Sequence, residues 1–182
     1  MSNIFDLFKS IEKKTETKPV THMVVGLGNP GQKYERTRHN AGFMAMDHLC
    51  AKLGVSVSRL KFKALCGEAQ IGTHRVLLMK PQTFMNLSGD AVSEAASFYK
   101  IPPENILILV DDVCQDTGRM RVRQSGSHGG QNGLKNIIAR LGSDKFPRIR
   151  FGVGQKPNPQ YDLATWVLGT LSGEDKKRLE SC

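Results

Sequence analysis

The stretch Ile106-Leu107-Ile108-Leu109-Val110 runs straight into Asp111-Asp112. Five apolar residues without alternation predict a strand covered on both faces, since a strand with a solvent side would alternate. Stretches of strand and helix pattern alternate along the rest of the chain, which makes the class α/β. A carboxylate at its carboxyl end also stands where open α/β sheets gather their sites.

The rest of the chain fits around that strand. His22 to Leu27 reads as a second apolar strand. A helix is predicted from near Asn40, with Phe43, Met46, Leu49, Cys50 and Leu53 on one stripe and Gly54 as its stop. Ala64–Ile71 and His74–Lys80 read as a hairpin across Gly72-Thr73. Asn86 or Ser88 is expected to cap a helix through Val92, Ala95, Ala96 and Tyr99, which must end before Pro102. A further helix is expected from Asn132 to Leu141, with Gly142 after it, and then a strand from Ile149 to Val153. The 182 residues suit one domain, a mixed twisted β-sheet flanked by helices on both faces, over residues 21–182. Residues 1–20 read as an extension. Ile4, Phe5, Leu7, Phe8 and Ile11 repeat at helical spacing, and a polar linker follows.

Composition narrows the function classes. The mean hydropathy is −0.34, and no apolar run approaches the roughly 18 residues of a membrane span. The four cysteines form no CxxC pair, and no signal peptide is visible, so reduced thiols and a cytoplasmic setting are expected. The net charge of +9 is concentrated. Between Arg119 and Arg150 lie eight Lys/Arg and one acid, Asp144. Arg119, Arg121 and Arg123 alternate with Met120 and Val122, and Arg148 and Arg150 flank Ile149. Strand spacing predicts that each set leaves one face of the sheet together, as a phosphate backbone requires.

Gly26-Leu27-Gly28-Asn29-Pro30-Gly31 matches the glycine pattern of dinucleotide sites, but the context does not. Pro30 has no N–H for a pyrophosphate, the following residues are polar, and no acidic residue closes a second strand. No nicotinamide cofactor is expected. The segment offers polar side chains instead: Asn29, Tyr34, Arg38, His39 and Asn40. Three more polar groups join them, Met85-Asn86 after a strand end, Asp111-Asp112, and the glycine loop Gly126 to Gly133 that opens a helix. Three strand ends and one helix start would place them in one cleft.

These stretches together resemble bacterial peptidyl-tRNA hydrolase, from about Val24 to Gly169. The carriers are Gly26 to Gly31, Thr37-Arg38-His39-Asn40, Thr83-Phe84-Met85-Asn86-Leu87-Ser88-Gly89, Asp111-Asp112 and Asn132-Gly133-Leu134-Lys135. The resemblance implies hydrolysis of the ester between peptide and tRNA, on the acceptor stem and 3′ end of peptidyl-tRNA. It makes His39 the base that activates water, with Asp111 orienting it and Asn29 nearest the scissile ester. Asn86, Asn132 and Gln131 would line the cleft, and Tyr34 and Met85 would wall it. Arg123 and Arg150 would hold tRNA phosphate. Asp112 is expected to be structural. No Ser or Cys nucleophile, metal ligand spacing or cofactor is implied, no membrane partner is expected, and the chain is expected to act as a monomer.

Two features depart from the family pattern. Gln131 stands where the family usually has a second His, so a charged role there is lost. After Gly169 the family runs on through a full C-terminal helix, whereas Cys182 comes one or two turns into Glu174–Leu179, which predicts uncovered apolar surface. Two rivals follow: an RNA-binding relative without catalysis, and a small-ester hydrolase without RNA. The His39, Asp111 and asparagine set argues against the first, and the basic band against the second.

Overall fold

The computed structural model describes residues 18–182. The helical reading of residues 4–11 lies outside them. Seven strands form one sheet: β1 (Val20–Gly26), β2 (Arg59–Lys61), β3 (Ala64–Ile71), β4 (His74–Pro81), β5 (Ile106–Asp112), β6 (Met120–Arg123) and β7 (Arg148–Gly152). Their order is β2-β3-β4-β1-β5-β7-β6. The four central strands are parallel, and β2, β3 and β6 add antiparallel pairings at the two edges. The sheet is therefore mixed, and β5 sits inside it as its unbroken apolar run requires.

Five helices accompany the described sheet: α1 (Ala41–Leu53), α2 (Ser88–Tyr99), α3 (Asn132–Leu141), α4 (Leu163–Leu168) and α5 (Gly173–Glu180). β5 divides its side chains between two cores. Ile106, Ile108 and Val110 pack with Ala91, Val92 and Ala95 of α2 and Leu134 and Ile137 of α3. Leu109 packs with Ala41, Met46 and Cys50 of α1 and Leu179 of α5. Helices thus cover both faces, and burial of apolar area on each side fixes the strand in place.

Gly42 explains how α1 comes so close to the sheet. A Cβ there would collide with the Leu109 carbonyl and the Leu27 backbone. Only glycine lets the helix start against the ends of β1 and β5, and that start carries His39 into the site. At the other end of α1, Gly54 takes φ 65° in the left-handed region and stops the helix.

Three expectations need correction. Neither Asn86 nor Ser88 caps α2. Leu87 is the N-cap residue, without a side-chain bond, because residues 85–87 form a 3₁₀ turn. Ser88 is already helical, and its Oγ donates to the Met85 carbonyl at 2.8 Å. Arg119 falls outside β6, so the exposed row on that strand is Arg121 and Arg123. Arg148 does not point to solvent. It is 1% exposed and its guanidinium donates to the carbonyls of Gly126, Ser127, Asp144 and Phe146.

Between α1, α5 and the sheet lies an apolar hollow of about 320 Å³, lined among others by Val24, Leu49, Leu107, Phe151, Leu179 and Cys182.

Candidate active site

The polar residues singled out from the sequence converge at the carboxyl ends of β1 and β5. The cleft there has a volume of about 560 Å³ and is lined by Asn29, His39, Met85, Asn86, Asp111, Gln131, Asn132 and Arg150, among others. Each arrives by a different local device. Asn29 follows β1 in the irregular segment of residues 27–31. His39 lies in the 3₁₀ turn 38–40 that leads into α1, and Asp111 ends the apolar run of β5. Gln131 and Asn132 stand at the start of α3.

His39 Nδ1 and Asp111 Oδ2 are 2.9 Å apart, with side chains 12% and 3% exposed. A carboxylate only accepts, so the neutral imidazole donates from Nδ1 and keeps its lone pair on Nε2. Burial pulls the His39 pKa down, but the Asp111 charge and hydrogen bond outweigh it, and the result lies above the ordinary 6.5. The imidazole is therefore fixed in one tautomer and held as a readier proton acceptor than a free histidine.

Asn29 is equally constrained. Its backbone N–H donates to Asn40 Oδ1 and its carbonyl accepts from Asn40 Nδ2, both at 2.9 Å. Its side-chain Oδ1 accepts from the Met85 N–H at 2.8 Å, which leaves Nδ2 as the amide atom directed to the cleft. Asn40 is thus a supporting residue, holding the Asn29 backbone at both its N–H and its carbonyl. A signal existed: a second polar amide adjoining a histidine at a helix start.

Asp112 faces away from His39. It accepts from the Cys114 N–H and Gln115 Nε2 at 2.9 Å, and it pairs with Arg150 at 3.3 Å. Arg150 also donates to the His128 carbonyl at 3.0 Å. Arg121, Arg123 and Arg150 line a separate hollow of about 230 Å³ beside the glycine loop, and Arg150 borders both spaces. Arg121 and Arg123 lie opposite Arg150 and Arg148 in the β6–β7 ladder, so all four share one face.

Tyr34 does not line the cleft. It stands edge-on to Phe84 with ring centroids 6.4 Å apart, while Met85 does form part of the wall. The opposite wall is α4, through Leu163, Ala164, Val167 and Leu168, an element absent from the sequence reading. Its signal was local: Asp162 caps the helix by accepting from the N–H and hydroxyl of Thr165 at 2.7 and 2.8 Å. Among the described residues, no group of three or more His, Cys, Asp or Glu side chains could hold a metal ion. The glycine turn offers no dinucleotide cradle either, since α1 begins only at Ala41.

A histidine–carboxylate pair at the carboxyl ends of a mixed α/β sheet, ringed by asparagines and bordered by arginines, suits the class of hydrolases. The family model described as peptidyl-tRNA hydrolase matches residues 23–182. The peptidyl-tRNA hydrolase of Clostridium perfringens is 49% identical over 158 residues, which cover 87% of this chain and 82% of that protein. That of Caldanaerobacter subterraneus is 52% identical over 159 residues, covering 87% and 85%. The crystal structure of the enzyme from Acinetobacter baumannii superposes with a TM-score of 0.83 at 36% identity, over 88% of this chain and 82% of the other. The chain belongs to the peptidyl-tRNA hydrolase family.

Proposed function

We propose that the cleft hydrolyses the ester joining a peptide to the 3′ ribose of tRNA, with His39 as the base that activates water. The observation that carries this reading is the 2.9 Å pair between His39 Nδ1 and Asp111 Oδ2 beside a lined cleft. With Nδ1 occupied, Nε2 takes a proton from a water molecule whose oxygen attacks the ester carbonyl. Asp111 stabilises the imidazolium that forms. Negative charge develops on the carbonyl oxygen, and Asn29 Nδ2, fixed through Met85, donates to it. When the tetrahedral intermediate collapses, the bond to the 3′ oxygen breaks and the imidazolium returns its proton to the ribose hydroxyl. Asn86 and Asn132 fix the substrate by hydrogen bonds, and Arg123 and Arg150 hold phosphate of the acceptor stem without reading base sequence.

This chemistry draws on one chain and needs neither metal nor cofactor. The proposal has the enzyme act in translation, as a monomer in the cytoplasm. A buried histidine–carboxylate pair would be idle in an RNA-binding relative without catalysis, and the arginine-lined hollow would be idle in a small-ester hydrolase. The test is cleavage of a labelled, N-blocked aminoacyl-tRNA in EDTA. Wild-type cleavage that vanishes in His39→Ala is expected, and cleavage undiminished by that substitution would sink the mechanism.

A further inference from the structure

Gln131 is longer than a helix cap requires. It is the N-cap residue of α3, and its Oε1 accepts from the Leu134 N–H at 2.8 Å, a task that Ser, Asp or Asn usually performs. The extra length brings Nε2 to 3.1 Å from Asp111 Oδ1 and 3.2 Å from Met85 Sδ. Only one orientation of the amide satisfies this setting, because the helix N–H cannot accept and the Asp111 carboxylate cannot donate. Gly133 leaves the room: a Cβ there would lie 2.7 Å from Met85 Sδ and 3.0 Å from Gln131 Oε1.

We propose that Gln131 is a positioning residue for the hydrolysis, a neutral clamp that holds Asp111 by Oδ1 and so presents Oδ2 to His39. The inference rests on the hydrolytic reading of the cleft. Both N–H groups of the amide are committed inside the protein and its oxygen serves the helix, so Gln131 has no donor left for substrate even though it borders the cleft. It differs from Asn29 in this respect, whose Nδ2 remains available. A Gln side chain carries no charge at any working pH, so the clamp fixes the carboxylate without competing for His39. A donor on Oδ1 also spreads the charge of Asp111. Removing it should concentrate that charge and favour the protonated imidazole.

Gln131→Ser separates the two tasks, because serine is a good N-cap and is too short to reach Asp111. On the full chain, its melting temperature and KM should stay near wild type, while kcat falls about two- to tenfold, the worth of one such hydrogen bond. The His39 ring titration, followed by NMR, should move to higher pH, and the acid limb of kcat should move with it. Gln131→Glu keeps the reach and the cap but sets a second carboxylate against Asp111, and should move the same titration further upward. Wild-type kcat and titration in Gln131→Ser would overturn the proposal. So would a raised KM with an unmoved titration, which would make Gln131 a substrate contact. A wild-type chain that leaves N-blocked aminoacyl-tRNA intact would defeat the hydrolytic reading itself, before any variant is compared.

Discussion

The cleft and the arginine-bearing edge of the sheet adjoin at Arg150, yet they are built on opposite plans. In the cleft, His39, Asp111, Asn29 and Gln131 are each tied by side-chain or backbone hydrogen bonds to a different element of the fold. On the edge strand, Arg121 and Arg123 are exposed, and their charge lies open to solvent and ions. The difference suits the roles proposed for the two regions. Groups that move protons gain from fixed geometry and exclusion of water. Groups that bind a polyanion gain from long-range charge and counterion release, which need no single geometry. Arg148 belongs to the first plan although its sequence spacing placed it in the second.

The largest effect expected from breaking this contrast is at the base. His39→Ala should lower kcat at least about a hundredfold and leave tRNA affinity nearly unchanged, as measured by turnover and by filter binding. A matching loss of affinity would mean that the two regions do not divide the work.

Asp111→Asn should cost less, since the imidazole survives without its orienting charge. Its pH signature is more telling. With His39 as the proposed base, hydrolysis needs its neutral form, so activity should fall as pH drops through the His39 pKa, which Asp111 holds above 6.5. Without the charge, burial alone acts and pulls that pKa down. The acid limb should therefore move to lower pH while the plateau drops. A limb that stays in place would assign it to another group.

How far the sequence revealed these regions depends on the kind of interaction. The strand at β5, the stripe of α1 and the span of α3 were legible, because burial on a 2- or 3.6-residue period leaves its mark in order along the chain. That Asn29, His39 and Asp111 share a cleft was legible from the strand ends and the helix start, but the pairing of His39 with Asp111 rested on family resemblance, since no local rule brings residue 39 to residue 111. β2 left no sign. Its turn to β3 consists of Phe62 and Lys63, both with φ near 54°, where a hairpin of this kind ordinarily uses Asn-Gly. The burial of Arg148 was illegible as well. Arg148 and Arg123 are opposite residues in one ladder, with the same alternation. What separates them is the loop from Gly126 to Phe146, whose carbonyls surround Arg148 and leave Arg123 uncovered.

That pair gives the next test. Arg148→Ala should destabilise the fold by about 1–3 kcal/mol, because buried carbonyls lose their donor. Thermal unfolding should show it, at roughly 2–4 °C per kcal/mol for a chain of this size. An unchanged melting temperature with weakened tRNA binding would return Arg148 to the phosphate-binding row.

Arg123→Ala should have the smallest effect and the most specific one. The side chain is exposed on an edge strand, so its loss leaves no cavity and no unpaired buried group, and the melting temperature should hold. What disappears is one cation of the proposed phosphate-binding edge. Binding of whole tRNA should weaken, and the slope of log affinity against log salt should fall by about one. Hydrolysis of a short 3′-terminal fragment, which reaches the cleft but not the edge, should be spared. Asp112 ties Arg150 close to the cleft, so Arg150→Ala should be less selective between the two substrates than Arg123→Ala. If both variants lose fragment and whole tRNA equally, the edge belongs to the catalytic region and the division between the two plans fails.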